Sequence, residues 1–214
     1  APRDDFARVW VKTFPDRATG LFPTAEANIE YICGVLGCLV TDALIRVASD
    51  IRLRFIRLAL TPRSGVLDTL AELRAEGYKI GLITDCSSEL PNLWPSTPFA
   101  PLIDVAVFSC HVGVRKPDPN IYRLACRRLG VAPQNCLYVG DGSSKELTGA
   151  SAVGMQPLLI LVPYEDTYDS YRIDVDEWTG PSVSDLKGVL TFVKLAAETP
   201  RRGYTRLSVS FCAY

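Results

Sequence analysis

Tyr138-Val139-Gly140-Asp141-Gly142-Ser143-Ser144-Lys145-Glu146-Leu147 is the stretch that decides how this chain is built. Cys136 to Gly140 is an apolar run of strand length, glycines then turn the chain, and Glu146 to Val153 has the spacing of a helix stopped by Gly154. The same alternation recurs on both sides. Upstream, Ser64 caps a helix through Leu67, Leu70 and Leu73 that stops at Gly77, and the apolar run Tyr78–Thr84 follows as a strand. Asp104–Ser109 is a second strand, and Asp118 with Pro119 reads as N-cap and first residue of a helix closed by Gly130. Gln156–Val162 is the last strand of the series. Strands alternating with helices predict an α/β fold, a doubly wound parallel sheet covered on both faces.

The chain before Pro62 reads as helix alone. Phe6, Val9 and Trp10 keep helical spacing ahead of Phe14 and the breaker Pro15. Thr24 offers an N-cap for a helix carrying Ile29, Ile32, Cys33 and Leu36. A third helix is predicted from about Val40 to Leu60, with Leu44, Val47, Ala48, Ile51 and Phe55 as its apolar stripe. Beyond the sheet, residues 164–180 read as an ordered surface loop and Ser182–Ala197 as an amphipathic helix. Leu207, Val209, Phe211 and Ala213 then alternate with Arg206, Ser208, Ser210 and Cys212, a strand-like tail. The expected division is a helical domain over 1–62, an α/β core over 63–200 and a tail over 201–214.

With 48% hydrophobic residues the chain can bury a core, and a net charge of -1 gives no electrostatic case for nucleic acid or an anionic membrane surface. No apolar run is long enough for a membrane span, the longest in the C-terminal half being Pro157–Pro163. Seven cysteines without a C-x-x-C pair argue against a disulfide framework and for a reducing, cytoplasmic setting. Cys33, Cys38 and the single His111 lack the spacing of a zinc site and read as buried thiols and a structural histidine. Trp10, Phe14 and Phe22 suit either a core or a pocket lining. The oligomeric state has no signature in the sequence.

Four polar residues fall at or beyond the carboxyl ends of strands, where open parallel sheets bind ligands: Thr84, Lys116, Asp141 and Glu146. A threonine hydroxyl, with the N–H groups around Asp85 and Cys86, suits a phosphate oxygen. Lysine offsets the negative charge of phosphate and carboxylates. Aspartate and glutamate at a glycine-rich turn suit magnesium, which prefers carboxylate oxygen and retains water. Taken singly, each has an ordinary structural reading: a strand end, a solvated lysine, a turn aspartate. Cys86, two residues past Thr84, reads as a backbone-positioning residue rather than a nucleophile.

Their order along the chain resembles the haloacid dehalogenase superfamily over roughly residues 4–195. The stretch Ser64–Val162 resembles its α/β core of the phosphatase type. Thr84 matches the second motif, Lys116 the third, and Asp141 with Glu146 the fourth. The helices before Pro62 resemble the small cap that one subfamily inserts after the first motif. The resemblance implies a magnesium-dependent hydrolase of a small phosphate ester, with Thr84, Asp85 and Lys116 holding substrate, Thr84, Lys116 and Asp141 catalytic, and Asp141 and Glu146 on the metal. It also implies a central strand ending in D-x-D, whose first aspartate forms an aspartyl-phosphate and whose second is the acid and base.

That first motif is absent from its place: Asp4 and Asp5 are adjacent, follow no strand and read as the acidic first turn of a helix. The missing strand belongs between those ending at Thr84 and Gly140, and leaving its neighbours open costs roughly 1–3 kcal/mol per buried unpaired group. The favoured reading is a piece of a longer protein, with the alternating tail as an alternative filler that brings no acidic residue. The function expected is therefore a phosphatase-type hydrolase that is inactive as given. The alternatives are haloacid dehalogenation, which needs no magnesium, and a pseudoenzyme that keeps the phosphate cradle.

Overall fold

The computed structural model describes residues 2–161, 172–198 and 208–209. Four helices open the chain: α1 (Arg3–Lys12), α2 (Phe14–Ala18), α3 (Ala25–Val35) and α4 (Asp42–Ala59). Thr24 and Thr41 cap α3 and α4, their hydroxyls accepting from the N–H groups of Ala27 at 3.2 Å and Leu44 at 3.4 Å. Asp4 and Asp5 sit in the first turn of α1, as their adjacency implies. Pro15 does not end a helix. It lies in the first turn of α2, where its missing N–H has no intrahelical partner to lose.

Of the apolar stripe expected on α4, Ala48 packs inward against Ile29, Cys33 and Ile45, and the other four residues face the other way. Leu44, Val47, Ile51 and Phe55 are 59%, 54%, 56% and 62% exposed, while Ile45 and Ser49 are buried. The helix carries two apolar faces, and the buried one also bears Arg52. Its guanidinium lies 3.3 Å from the carboxylate of Glu89, which is buried and needs a charged partner. That requirement selects the face.

Next come α5 (Val66–Ala75), β1 (Lys79–Thr84), α6 (Glu89–Leu93), β2 (Val105–Phe108), α7 (Ser109–Val112) and α8 (Pro119–Leu129). They are followed by β3 (Leu137–Gly140), α9 (Glu146–Ala152), β4 (Gln156–Ile160), β5 (Ser182–Val183), α10 (Leu186–Glu198) and β6 (Ser208–Val209). Asp118 caps α8 through the N–H of Asn120 at 2.8 Å, and Gly130 ends it in the left-handed region at φ 65°. Two expectations shift. The residue before α5 is Gly65 rather than Ser64, at φ 78° and without a side-chain cap. Ser182 and Val183 form an edge strand instead of a first helical turn, because pairing with Leu159 and Ile160 satisfies the outer edge of β4.

Among the described residues every ladder is parallel, in the orders β2-β1-β6 and β3-β4-β5. β6 pairs Ser208 with Lys79 and Val209 with Ile80 and lies alongside β3. The alternating tail thus places a strand between β1 and β3, in the slot that the sequence leaves empty; the rest of 201–214 lies outside the described residues. Side chains alternate across the sheet. Ile83, Val107, Tyr138 and Leu159 pack against α8 and α9, while Ile80, Leu137, Val139 and Leu158 pack against α5 and α10. Both faces are covered, as the doubly wound reading requires. The N-terminal helices have a small core of their own around Ile29, Cys33 and Ile45, and meet the sheet where Leu53, Ile56 and Leu60 pack on Cys86, Leu90 and Leu93.

Candidate active site

The loops after β1, β2 and β3 leave the sheet at the carboxyl ends of its parallel strands, and the polar residues they carry form a bonded cluster. Lys116 and Glu146 are 1% and 0% exposed, and the ammonium lies 2.6 Å from Oε2 of the carboxylate. Tyr138 donates its hydroxyl to the same oxygen at 2.8 Å, and the N–H of Gly142 donates to Oε1 at 3.2 Å. The Tyr122 hydroxyl donates to the Glu146 carbonyl at 3.0 Å. Gly140 is required here, since a Cβ at that position would collide with the Glu146 carboxylate. From the other side, the N–H of Lys116 donates to Oδ1 of Asp85 at 3.0 Å, joining the loop after β1 to the loop before α8.

Asp141 accepts from the N–H of Ser143 at 3.0 Å through Oδ1, and Arg172 donates to its Oδ2 from Nη2 at 3.2 Å and Nε at 3.3 Å. Asp174 caps α9, accepting from the N–H groups of Leu147 at 2.9 Å and Thr148 at 3.3 Å and from the Thr148 hydroxyl at 2.6 Å. Thr84 ends β1 fully buried, and its hydroxyl bonds to no other group. Oδ2 of Asp85 is likewise buried without a partner. An unpaired buried polar atom costs about 1–3 kcal/mol, and Thr84 and Asp85, neighbours in the chain, each leave one.

Burial pushes the carboxyls of Asp85 and Glu146 above their ordinary range, with the Lys116 ammonium pulling both back. Burial acts upward on Asp141 too, but there the Ser143 N–H and the Arg172 guanidinium outweigh it and the carboxyl lies below its usual value. Proximity to the Asp141 charge adds to the rise at Glu146.

The sequence-selected residues therefore divide. Asp85, Lys116 and Glu146 are joined by hydrogen bonds; Asp141 approaches Glu146 through the 140–143 turn; Thr84 stands beside Asp85 with its hydroxyl unclaimed. His111 packs its ring against Phe108. Trp10 lies between the guanidinium groups of Arg17 and Arg52, at 4.0 and 5.0 Å from its ring centre, and Phe22 packs on Tyr31. Tyr138, Arg172 and Asp174 were not singled out. Tyr138 alternates with apolar neighbours like any strand residue, and the segment holding the other two has no periodicity. One signal was legible there: Asp174-Val175-Asp176 is the chain's single D-x-D. It lies in a turn with Asp176 exposed, and the carboxylate of Asp174 is taken up by α9.

No group of three or more His, Cys, Asp or Glu among the described residues assembles into a metal cluster. Magnesium does not demand one, because it binds through one or two carboxylates together with waters and substrate phosphate. Asp141, held ionised and close to a second carboxylate, fits that need. Glu146 fits it less directly, as both its oxygens already accept hydrogen bonds within the protein.

A parallel α/β sheet with its polar cluster at the carboxyl ends of the strands is the arrangement in which open α/β folds bind their ligands. The sequence profile of haloacid dehalogenase-like hydrolases matches residues 7–154. The chain belongs to that family. It is 37% identical over 99 residues to the glyceraldehyde 3-phosphate phosphatase of Methanopyrus kandleri, which is 45% of this chain and 42% of the relative. It is 30% identical over 139 residues to the (S)-2-haloacid dehalogenase of Pseudomonas fluorescens, 63% of this chain and 57% of that enzyme. The chain thus spans about half the length of the curated relatives it matches. A family enzyme from Bacteroides thetaiotaomicron, solved as a mutant with magnesium and inorganic phosphate, shares the fold at 18% identity with a TM-score of 0.57, over 77% of this chain and 87% of that one.

Proposed function

We propose that this chain carries the phosphate-holding and magnesium-holding part of a hydrolase acting on a small phosphorylated metabolite. The carrying observation is the unclaimed, buried hydroxyl of Thr84, whose chain neighbour Asp85 is tied by a hydrogen bond to Lys116 of the buried Lys116–Glu146 pair. In this reading Thr84 and the backbone around Asp85 receive a phosphate oxygen, and Lys116 supplies positive charge next to it. Glu146 and Tyr138 hold the Lys116 ammonium in place, so its position does not depend on substrate. Asp141, with Glu146 behind it, holds magnesium. The bound ion would neutralise phosphate charge at that carboxylate.

Hydrolysis in this family's manner needs an aspartate nucleophile at the centre of the sheet. The slot between β1 and β3 holds β6, whose Ser208 and Val209 offer none. In this reading the chain as given binds phosphate with little or no turnover. The helices before Pro62, packed against Cys86 and Leu90, serve as the cap that shapes substrate access. Free thiols at all six described cysteines suit a cytoplasmic setting. No helix among the described residues is long and apolar enough to cross a membrane.

The test measures binding and turnover together. Inorganic phosphate with magnesium should bind the chain in calorimetry, Thr84→Val and Lys116→Met should weaken it about tenfold or more, and p-nitrophenyl phosphate should not be hydrolysed. Turnover lost in Asp141→Asn would reveal a nucleophile elsewhere, and absence of phosphate binding would remove the cradle altogether. Phosphatase and dehalogenase relatives alike reach 63% of this chain, so release of halide from a 2-haloacid without magnesium would turn the assignment to dehalogenase chemistry.

A further inference from the structure

Cys86 and Cys110 come from different loops, the first directly after Asp85 and the second on α7, yet their sulfur atoms lie 3.8 Å apart. Two hydrogen bonds hold the loops in that relation. The N–H of Cys86 donates to the Ser109 hydroxyl at 2.9 Å, and that hydroxyl donates to the Cys86 carbonyl at 3.4 Å. Cys86 is buried under Leu60, Leu90 and Leu93, whereas Cys110 is partly exposed. One sulfur can therefore meet a small oxidant in solvent, and the other waits behind it.

A second pair provides the contrast. Cys126 and Cys136 lie 3.7 Å apart but are 2% and 0% exposed. Proximity is the same and access is not.

We propose that Cys86 and Cys110 are a modification site, an oxidisable dithiol that a peroxide converts to a disulfide linking the loop after β1 to α7. The Cys110 thiolate attacks one peroxide oxygen, the O–O bond breaks, and hydroxide leaves to take up a proton as the first water. The Cys110 sulfur is then a sulfenic acid. The Cys86 sulfur, once deprotonated, attacks it; the S–S bond forms, the S–O bond breaks, and hydroxide leaves with that proton as the second water. Two thiols lose two electrons in all, and the peroxide gains them. The direction of attack agrees with the thiols' acidities. The hydrogen bond between the two sulfur atoms lowers the Cys110 thiol below its usual value and, together with burial, raises that of Cys86.

Oxidation of the purified full chain with hydrogen peroxide, then alkylation under denaturing conditions and peptide mapping without reductant, tests the site whatever the protein hydrolyses. The expected result is loss of two hydrogens, one linked peptide pair containing Cys86 and Cys110, unlinked Cys126 and Cys136, and reversal by dithiothreitol. Cys110→Ser should abolish the link, and Cys86→Ser should leave a sulfenic acid at Cys110 that dimedone traps. The proposal is overturned if the wild-type chain links Cys126 to Cys136 first, or if Cys110 oxidises to sulfinic acid while Cys86 stays a thiol.

Discussion

Lys116 and Glu146 carry a large electrostatic stake, because both side chains are out of water. Such a pair adds little net stability, since desolvation offsets the attraction, but removing one partner strands the other. Lys116→Met should therefore cost about 3–5 kcal/mol in urea unfolding at neutral pH. Lys116→Met with Glu146→Gln should recover most of it, as a neutral amide can still meet Tyr138 and Gly142. The sign with pH follows from the raised carboxyl of Glu146. A raised folded value means the native state keeps a proton that the unfolded chain releases, and the penalty grows as pH rises through that interval. In Lys116→Met it should shrink on acidification, as Glu146 becomes neutral. A single substitution costing under about 1 kcal/mol would show that the pair is not load-sharing. Both residues were legible from position in the sequence. Motif order suggests Glu146 as a metal ligand; the hydrogen bonds that its two oxygens accept depend on Tyr138, Gly142 and Lys116 meeting in space, which position alone does not give.

The elements divide between those set locally and those set from a distance. β1, β3, α8 and α9 were readable because runs, caps and glycine stops are local, and Asp118 and Gly130 do what their chemistry implies. The buried face of α4 was not, since its choice depends on Glu89, far along the chain. The alternation of its residues marks β6 as a strand, but its place depends on the unpaired edge of β1, far along the chain. Segment 172–175 is the strongest case, as two of its side chains act on other elements: Arg172 on Asp141, and Asp174 on the first turn of α9. Its D-x-D spelling imitates a catalytic motif while working as a helix cap, and the two aspartates should separate by stability. Asp174→Ala removes an acceptor for two orphan N–H groups and should cost about 1–2 kcal/mol. Asp176→Ala, at an exposed position, should cost within about 0.5 kcal/mol. Equal effects in chemical unfolding would mean the cap is not what holds this segment.

Across the whole molecule, the site exists only where the sheet does. Asp141 follows β3, Lys116 precedes α8, and Asp85 ends the β1 turn, so unfolding scatters the groups that would meet a divalent cation and a phosphate. A ligand that binds this native arrangement and not the unfolded chain must stabilise the entire fold, by about 1.4 kcal/mol at ten times its dissociation constant. For a chain of this size that raises the unfolding midpoint by roughly 3–6 °C. Magnesium chloride should produce such a shift in thermal unfolding, and potassium chloride at equal ionic strength should not. Asp141→Asn should erase the response. Arg172→Gln should bring it on at lower magnesium, because the guanidinium that now bonds to Oδ2 of Asp141 no longer competes for that oxygen. If magnesium moves Asp141→Asn as far as it moves the wild type, the cation binds somewhere else, and the carboxyl end of β3 loses its claim as the metal site.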